Sequence, residues 1–193
     1  MKYNVIRKRE KTMKNKNILI GITGGIACYK ICDVINHLKR EGANVDVIMT
    51  ENATKFITPL TLETLAKSAV VVDMFHEKEH VDVEHISLAR KADLVLIAPA
   101  TANIIGKIAN GIADDMLSTT VIATKAPVLI APAMNNGMYE NKIVQDNIEK
   151  LKNYGYKFIN PVEGNLACGY KAVGKLADKN TIIENIKESF EEE

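Results

Sequence analysis

From Asn17 onward, strand-sized apolar runs alternate with segments of helical period. Strands that alternate with helices bury their faces by forming a parallel sheet with helices on both sides. NILIGI (Asn17–Ile22) is a continuous apolar run ended by glycines, the pattern of a strand covered on both faces. A helix is predicted from about Ile26 to Arg40, with Ile26, Tyr29, Val34 and Leu38 on one face and Gly42 stopping it. NVDVIMT is the second strand. Thr58-Pro59 reads as an N-cap followed by proline at the first helical position, opening a helix to about Lys67. AVVVDMF is the third strand and DLVLIAPA (Asp93–Ala100) the fourth, with TANIIGKIANGIADDMLSTTVIAT mainly helical after it. APVLIAPAM is the fifth strand, followed by a helix from about Glu140 to Asn153 that ends at Gly155. YKFINPV is the sixth, and a last helix runs from about Asn180 to Phe190. The expected architecture is α/β: a doubly wound, mostly parallel six-stranded sheet with helices on both faces, Rossmann- or flavodoxin-like.

A chain of 193 residues suits one domain, expected over residues 13–193. Residues 1–12 are polar and aperiodic, and are expected to be a disordered extension. Lys+Arg 25 against Asp+Glu 24 gives a net charge of +1, which removes the electrostatic argument for nucleic acid or an anionic membrane. No apolar run approaches the roughly 20 residues of a membrane span. The three cysteines, Cys28, Cys32 and Cys168, with no leader sequence, read as reduced thiols in a cytoplasmic protein.

In doubly wound sheets, ligands bind beyond the carboxyl ends of the strands. The segments with chemical content fall there: GITGGIA, MTEN, APATAN and APAMNNGM each follow a predicted strand. Gly21–Ile26 departs from the dinucleotide fingerprint, because Thr23 stands at its second glycine and the second strand ends at Thr50 rather than at an acid. A hydroxyl at Thr50, in place of that acid, suits a mononucleotide phosphate or ring, although the glycines of Gly21–Ile26 also suit a tight strand–helix turn needing them for packing alone. Thr101 and Asn103 suit hydrogen bonding to a flat polar ring or its phosphate, and Thr101 suits a helix N-cap equally. Asn135 presents a donor and an acceptor for a carboxylate or amide, or serves as a turn residue; Met138 would be a soft apolar wall.

PVEGNLACGYKAVGKLAD is long and rich in glycine, as a lid would be, and Cys168 on it could deliver a proton or attack an electrophile. Cys28 and Cys32 read as core thiols. His37 sits on a helix, and His76 and His80, in FHEKEHVDVEH, read as surface. His85 opens HISLARKAD near the carboxyl edge, where it is either a base or a surface or capping histidine.

Over about residues 15–190, the order and spacing of GITGGIACYK, HISLA, APATAN, GIADD, APAMN-x-x-M and LACG-x4-GKL resemble the flavin-dependent cysteine decarboxylases. The resemblance implies FMN held by Gly24, Gly25, Ile26, Thr50, Thr101, Ala102, Asn103, Ile104 and Ala133. It implies His85 as base, Cys168 as proton donor on the lid, and Asn135, Met138, Asn165 and Ala167 around the substrate. The implied reaction is decarboxylation of 4′-phosphopantothenoyl-L-cysteine to 4′-phosphopantetheine in coenzyme A biosynthesis. It would proceed by transient oxidation of the thiol to a thioaldehyde and re-reduction of an enethiol.

A homo-oligomer, a trimer or a multiple of trimers with the flavin between subunits, is implied as well, as is a separate phosphopantothenate–cysteine ligase acting upstream. The family's lid often reads C-G-x-x-G-x-G-R; here Ala172 replaces a glycine and Lys175 the arginine, keeping the charge and losing the bidentate fork. Three alternatives stand beside this reading. A peptidyl-cysteine decarboxylase is disfavoured by the LACG lid. A non-catalytic FMN-binding partner protein is disfavoured by retention of the histidine and cysteine, and a nicotinamide enzyme by the absent glycine and acid.

Overall fold

The computed structural model describes residues 13–75 and 83–191. Six strands form its main sheet: β1 (Asn17–Ile22), β2 (Asn44–Met49), β3 (Val70–Val71), β4 (Leu94–Ala100), β5 (Val128–Pro132) and β6 (Lys157–Phe158). Their order is β3-β2-β1-β4-β5-β6, and every neighbouring pair is parallel. Chain progression therefore reverses between β1 and β4, which opens a crevice past their carboxyl ends.

The alternation of side chains along β1 explains why its run is apolar throughout. Ile18, Ile20 and Ile22 join one buried cluster, and Leu19 joins the other. The first cluster is closed by α1 (Ile31–Arg40), α2 (Pro59–Ala66) and α8 (Lys179–Ser189). The second is closed by α3 (Glu84–Lys91), α4 (Ala102–Ala109), α5 (Met116–Ala123) and α7 (Lys142–Asn153). Each fully buried aliphatic side chain contributes about 1.5–3 kcal/mol of transfer free energy, so two clusters suffice without a covalent staple.

Helix boundaries follow their caps. Thr58 accepts from the Thr61 N–H, with Pro59 at the first helical position, as expected. The mainly helical segment after β4 is two helices, because Gly111 adopts a positive φ of 68° and Asp115 then caps a new one. That cap is reciprocal: Asp115 Oδ1 accepts from the Ser118 N–H at 2.8 Å, and the Asp115 N–H donates to Ser118 Oγ at 3.2 Å.

Two expectations are corrected. The segment after β1 opens as a 3-10 turn (Ile26–Lys30) before α1, so its angular period is shorter than the α-helical one. Ile26 and Tyr29 consequently face outward, 58% and 59% exposed, and the buried face runs through Cys28, Ile31, Val34, Ile35 and Leu38. The predicted loop between the sixth strand and the last helix holds a separate antiparallel hairpin, β7 (Val162–Asn165) and β8 (Lys171–Lys175). The extension expected over residues 1–12, and His76 and His80, lie outside the described residues.

Candidate active site

A cavity of about 540 Å³ opens at the carboxyl ends of β1, β4 and β5, walled on its outer side by the β7–β8 hairpin. Its floor is tied together by Thr23, which is 2% exposed. Thr23 Oγ1 donates to the Pro99 carbonyl at 2.6 Å and accepts from the Thr101 N–H at 3.0 Å. The Thr23 hydroxyl is thus committed to joining the ends of β1 and β4.

Gly24 and Gly25 line the cavity for different reasons. A Cβ on Gly24 would lie 2.5 Å from Asn52 Cβ and 2.9 Å from the Asn52 backbone, so the turn after β2 demands glycine. A Cβ on Gly25 would meet no protein atom within 4 Å. Its backbone is extended, with φ −157° and ψ 151°, which any residue adopts. Glycine there leaves room that the protein itself does not fill.

Asn135 stands opposite. It caps the short helix α6 (Asn136–Tyr139), with Oδ1 accepting from the Gly137 N–H at 2.9 Å. That bond fixes the amide's orientation and turns Nδ2 toward the hairpin. Nδ2 donates to Cys168 Sγ at 3.4 Å and to the Tyr170 hydroxyl at 2.8 Å, and Tyr170 donates onward to Asn136 Oδ1 at 2.6 Å. Cys168 is exposed, whereas Cys28 is buried, donates to the Thr23 carbonyl at 3.1 Å, and has its thiol pKa pushed up by burial.

The hairpin is anchored where β8 meets the loop after β5. The Met134 N–H donates to the Gly174 carbonyl at 3.0 Å. Gly174 has φ +142°, and a Cβ there would sit 2.3 Å from the Met134 carbonyl oxygen. Only glycine permits that approach. Two cations also line the cavity, Lys30 from the 3-10 turn and Lys175 from β8. Burial lowers the pKa of Lys30, and the neighbouring charge of Lys175 lowers it further.

Of the residues singled out in the sequence, Gly24, Gly25, Ile26, Thr101, Ala133, Asn135, Met138, Asn165, Ala167 and Cys168 line this one cavity. Thr101 also caps α4, accepting from the Ile104 N–H at 3.4 Å. Five others lie outside the lining. Thr50 follows β2 at the N-cap of a 3-10 turn, and its hydroxyl is buried without a partner among the described residues. Ala102 and Asn103 occupy the first turn of α4, and the Ile104 side chain is buried in the core. His85 lies half-buried in the first turn of α3, on the sheet face opposite α1. Tyr170, Lys30 and Gly174 were given no role in the sequence reading. Lys30 ends the GITGGIACYK motif, and the 3-10 turn sets it in line with Ala27, which also lines the cavity.

The chain is similar to several known proteins. The coenzyme A biosynthesis bifunctional protein CoaBC of Borreliella burgdorferi is 52% identical over 177 residues, covering 92% of this chain and 45% of that protein. The chain therefore spans about half the length of that relative. A Streptococcus mutans protein named "Probable phosphopantothenoylcysteine decarboxylase" is 45% identical over 177 residues, covering 91% of this chain and 99% of the relative. The crystal structure of SpaF, described as an FMN-dependent cysteine decarboxylase, superposes with a TM-score of 0.81 at 30% identity, over 93% of this chain and 99% of that one. The model of the family described as Flavoprotein matches residues 6–191, nearly the whole chain, and so this protein belongs to the flavoprotein family.

Proposed function

We propose that this chain decarboxylates 4′-phosphopantothenoyl-L-cysteine to 4′-phosphopantetheine and CO2, with FMN as cofactor, in coenzyme A biosynthesis. The observation that carries this reading is the meeting of Asn135 Nδ2 and Cys168 Sγ at 3.4 Å on the wall of a cavity whose other side is Gly24-Gly25. A fixed amide donor beside a thiol is what a substrate bearing a carboxylate next to a carbon that must be protonated requires. The S. mutans relative and SpaF, as named, support the reaction class and the flavin.

The residues present fit such a cofactor. Gly25 leaves open space, Ile26 and Ala133 offer apolar surface, and Thr101 a hydroxyl, while outside the lining the buried Thr50 hydroxyl lacks a partner among the described residues. When bound, FMN supplies a two-electron acceptor and donor next to the substrate sulfur, which makes the neighbouring carboxylate labile. Asn135 Nδ2 holds that carboxylate in place for cleavage. After CO2 has left, Cys168 Sγ gives its proton to the carbon that lost it. The hairpin keeps Cys168 against the substrate and excludes water.

His85 serves as the base for the thiol proton. It is absent from the cavity lining of a single chain, and a second copy in a homotrimer brings its α3 to the site. Ile26 and Tyr29, exposed apolar side chains at the cavity's edge, support such self-association. The substrate is supplied by ligation of cysteine to phosphopantothenate, and the protein works in the cytoplasm.

The test is CO2 release by FMN-loaded protein offered phosphopantothenoylcysteine or a peptide ending in cysteine. Release from the first alone supports the reading; release from the peptide alone replaces it with a peptidyl-cysteine decarboxylase. His85→Asn protein is expected to bind flavin and release no CO2, and normal turnover would remove His85 from the reaction.

A further inference from the structure

Among the described residues, the charged side chains in the cavity lining are two lysines, with no aspartate or glutamate beside them. Lys30 and Lys175 come from distant parts of the chain, the 3-10 turn after β1 and the end of β8. Among the described residues neither ammonium has a carboxylate within ion-pair distance. Lys175 is held in place by a local device: its side chain crosses Gly164 on the opposite strand of the hairpin. A Cβ on Gly164 would lie 2.7 Å from Lys175 Cδ and 3.3 Å from Nζ. Lys30 is half-buried, and both its burial and the charge of Lys175 work against its protonated form. A protein that brings two cations together in one cavity without an anion leaves repulsion that a dianionic ligand removes.

We propose that Lys30 and Lys175 jointly bind a phosphomonoester dianion in this cavity. Lysine suits that group as a mobile point charge with three donors, without the fixed fork of arginine. Two phosphomonoesters belong to the function proposed above, on which this inference rests for its choice of ligand: the terminal phosphate of the substrate and the phosphate of the flavin. The shared chemistry is the same. The substrate phosphate suits Lys175 because the hairpin that carries this lysine also carries Cys168.

Binding of 4′-phosphopantetheine and pantetheine to the FMN-loaded protein, measured by calorimetry, reads the first source without turnover. Binding of FMN and riboflavin to the flavin-free protein reads the second. Both ratios are compared in wild type, Lys30→Met and Lys175→Met, with Lys175→Arg as the charge-keeping control for folding. The expected result is a fall of about ten-fold or more in the preference for phosphopantetheine over pantetheine in each Met variant, and its retention in the Arg variant. A comparable fall in the FMN-to-riboflavin ratio instead keeps the phosphate site and assigns it to the flavin. Ratios that both stay within about two-fold of wild type overturn the proposal, since that is less than one charge-assisted hydrogen bond contributes. If neither pantetheine compound binds wild type, the functional reading fails, and the flavin ratio alone decides whether the lysine site survives.

Discussion

Asn135 and Cys168, 33 residues apart in the chain, meet at 3.4 Å because one caps a helix and the other rides a hairpin pinned to the same loop. The cap consumes the oxygen of the Asn135 amide, so the nitrogen is the end left for a ligand. Lid and grip are therefore one mechanical unit, joined again through Tyr170.

Asn135→Asp keeps the cap and inverts the other end from donor to acceptor. A carboxylate facing the substrate carboxylate forfeits a charge-assisted hydrogen bond of about 1.5–3 kcal/mol and adds repulsion. CO2 release is expected to fall by about a hundred-fold or more with flavin content unchanged. Undiminished release would detach Asn135 from the substrate.

Tyr170→Phe removes the hydroxyl that accepts from Asn135 and donates to Asn136. These bonds are exposed, each contributing about 0.5–1.5 kcal/mol at most, so the fold should survive and the hairpin tip loosen. Hydrogen exchange at residues 166–170 is expected to quicken several-fold while the β1 and β4 amides stay protected. Unchanged exchange at the tip would show that Tyr170 does not hold it.

Gly174 and Gly25 give opposite outcomes on substitution by alanine. Gly174→Ala places a Cβ 2.3 Å from the Met134 carbonyl at a φ of +142° and should cost about 1–3 kcal/mol, lowering the melting temperature. Gly25→Ala meets no protein atom within 4 Å, so the apoprotein should melt as wild type while flavin retention falls. Thermal melts with flavin absorbance measure both. Equal melting temperatures for Gly174→Ala and wild type would contradict the anchoring.

Acid stability should carry the signature of Asp115. Burial pushes its carboxyl up, but bonds from Lys107 Nζ at 2.8 Å and from the Ser118 N–H and hydroxyl outweigh this and hold it below the ordinary value of 3.8. A lowered folded pKa means stability that is present above the unfolded value and lost as pH falls through the folded one. Melting temperature should drop more steeply below about pH 4 in wild type than in Asp115→Asn, which keeps a competent cap. Parallel curves would remove Asp115 from the acid transition.

The parts of this architecture that could be read from the sequence are those fixed by local periodicity. β1, β4 and β5 are covered on both faces, so their apolar runs stand out. The hairpin was hidden because Val162–Asn165 is almost wholly exposed and shows no alternation. Within the mainly helical segment after β4, the Asp115–Ser118 capping box sets where the second helix starts. The structural role of Thr23 is not legible in the sequence, because its partner, the Pro99 carbonyl, lies 76 residues away. The cavity glycines, Asn135 and Cys168 were recoverable as motifs, whereas Lys30 and Tyr170 acquire meaning only from a 3-10 phase and a tertiary contact.

The central claim is tested most directly by mass spectrometry of phosphopantothenoylcysteine after incubation with FMN-loaded protein, wild type and Cys168→Ser. Wild type is expected to yield phosphopantetheine, lighter by CO2. Cys168→Ser is expected to release CO2 and stop at the unsaturated enethiol, because the proton from Sγ is missing. Intact substrate with the flavin-loaded wild-type protein would contradict the account.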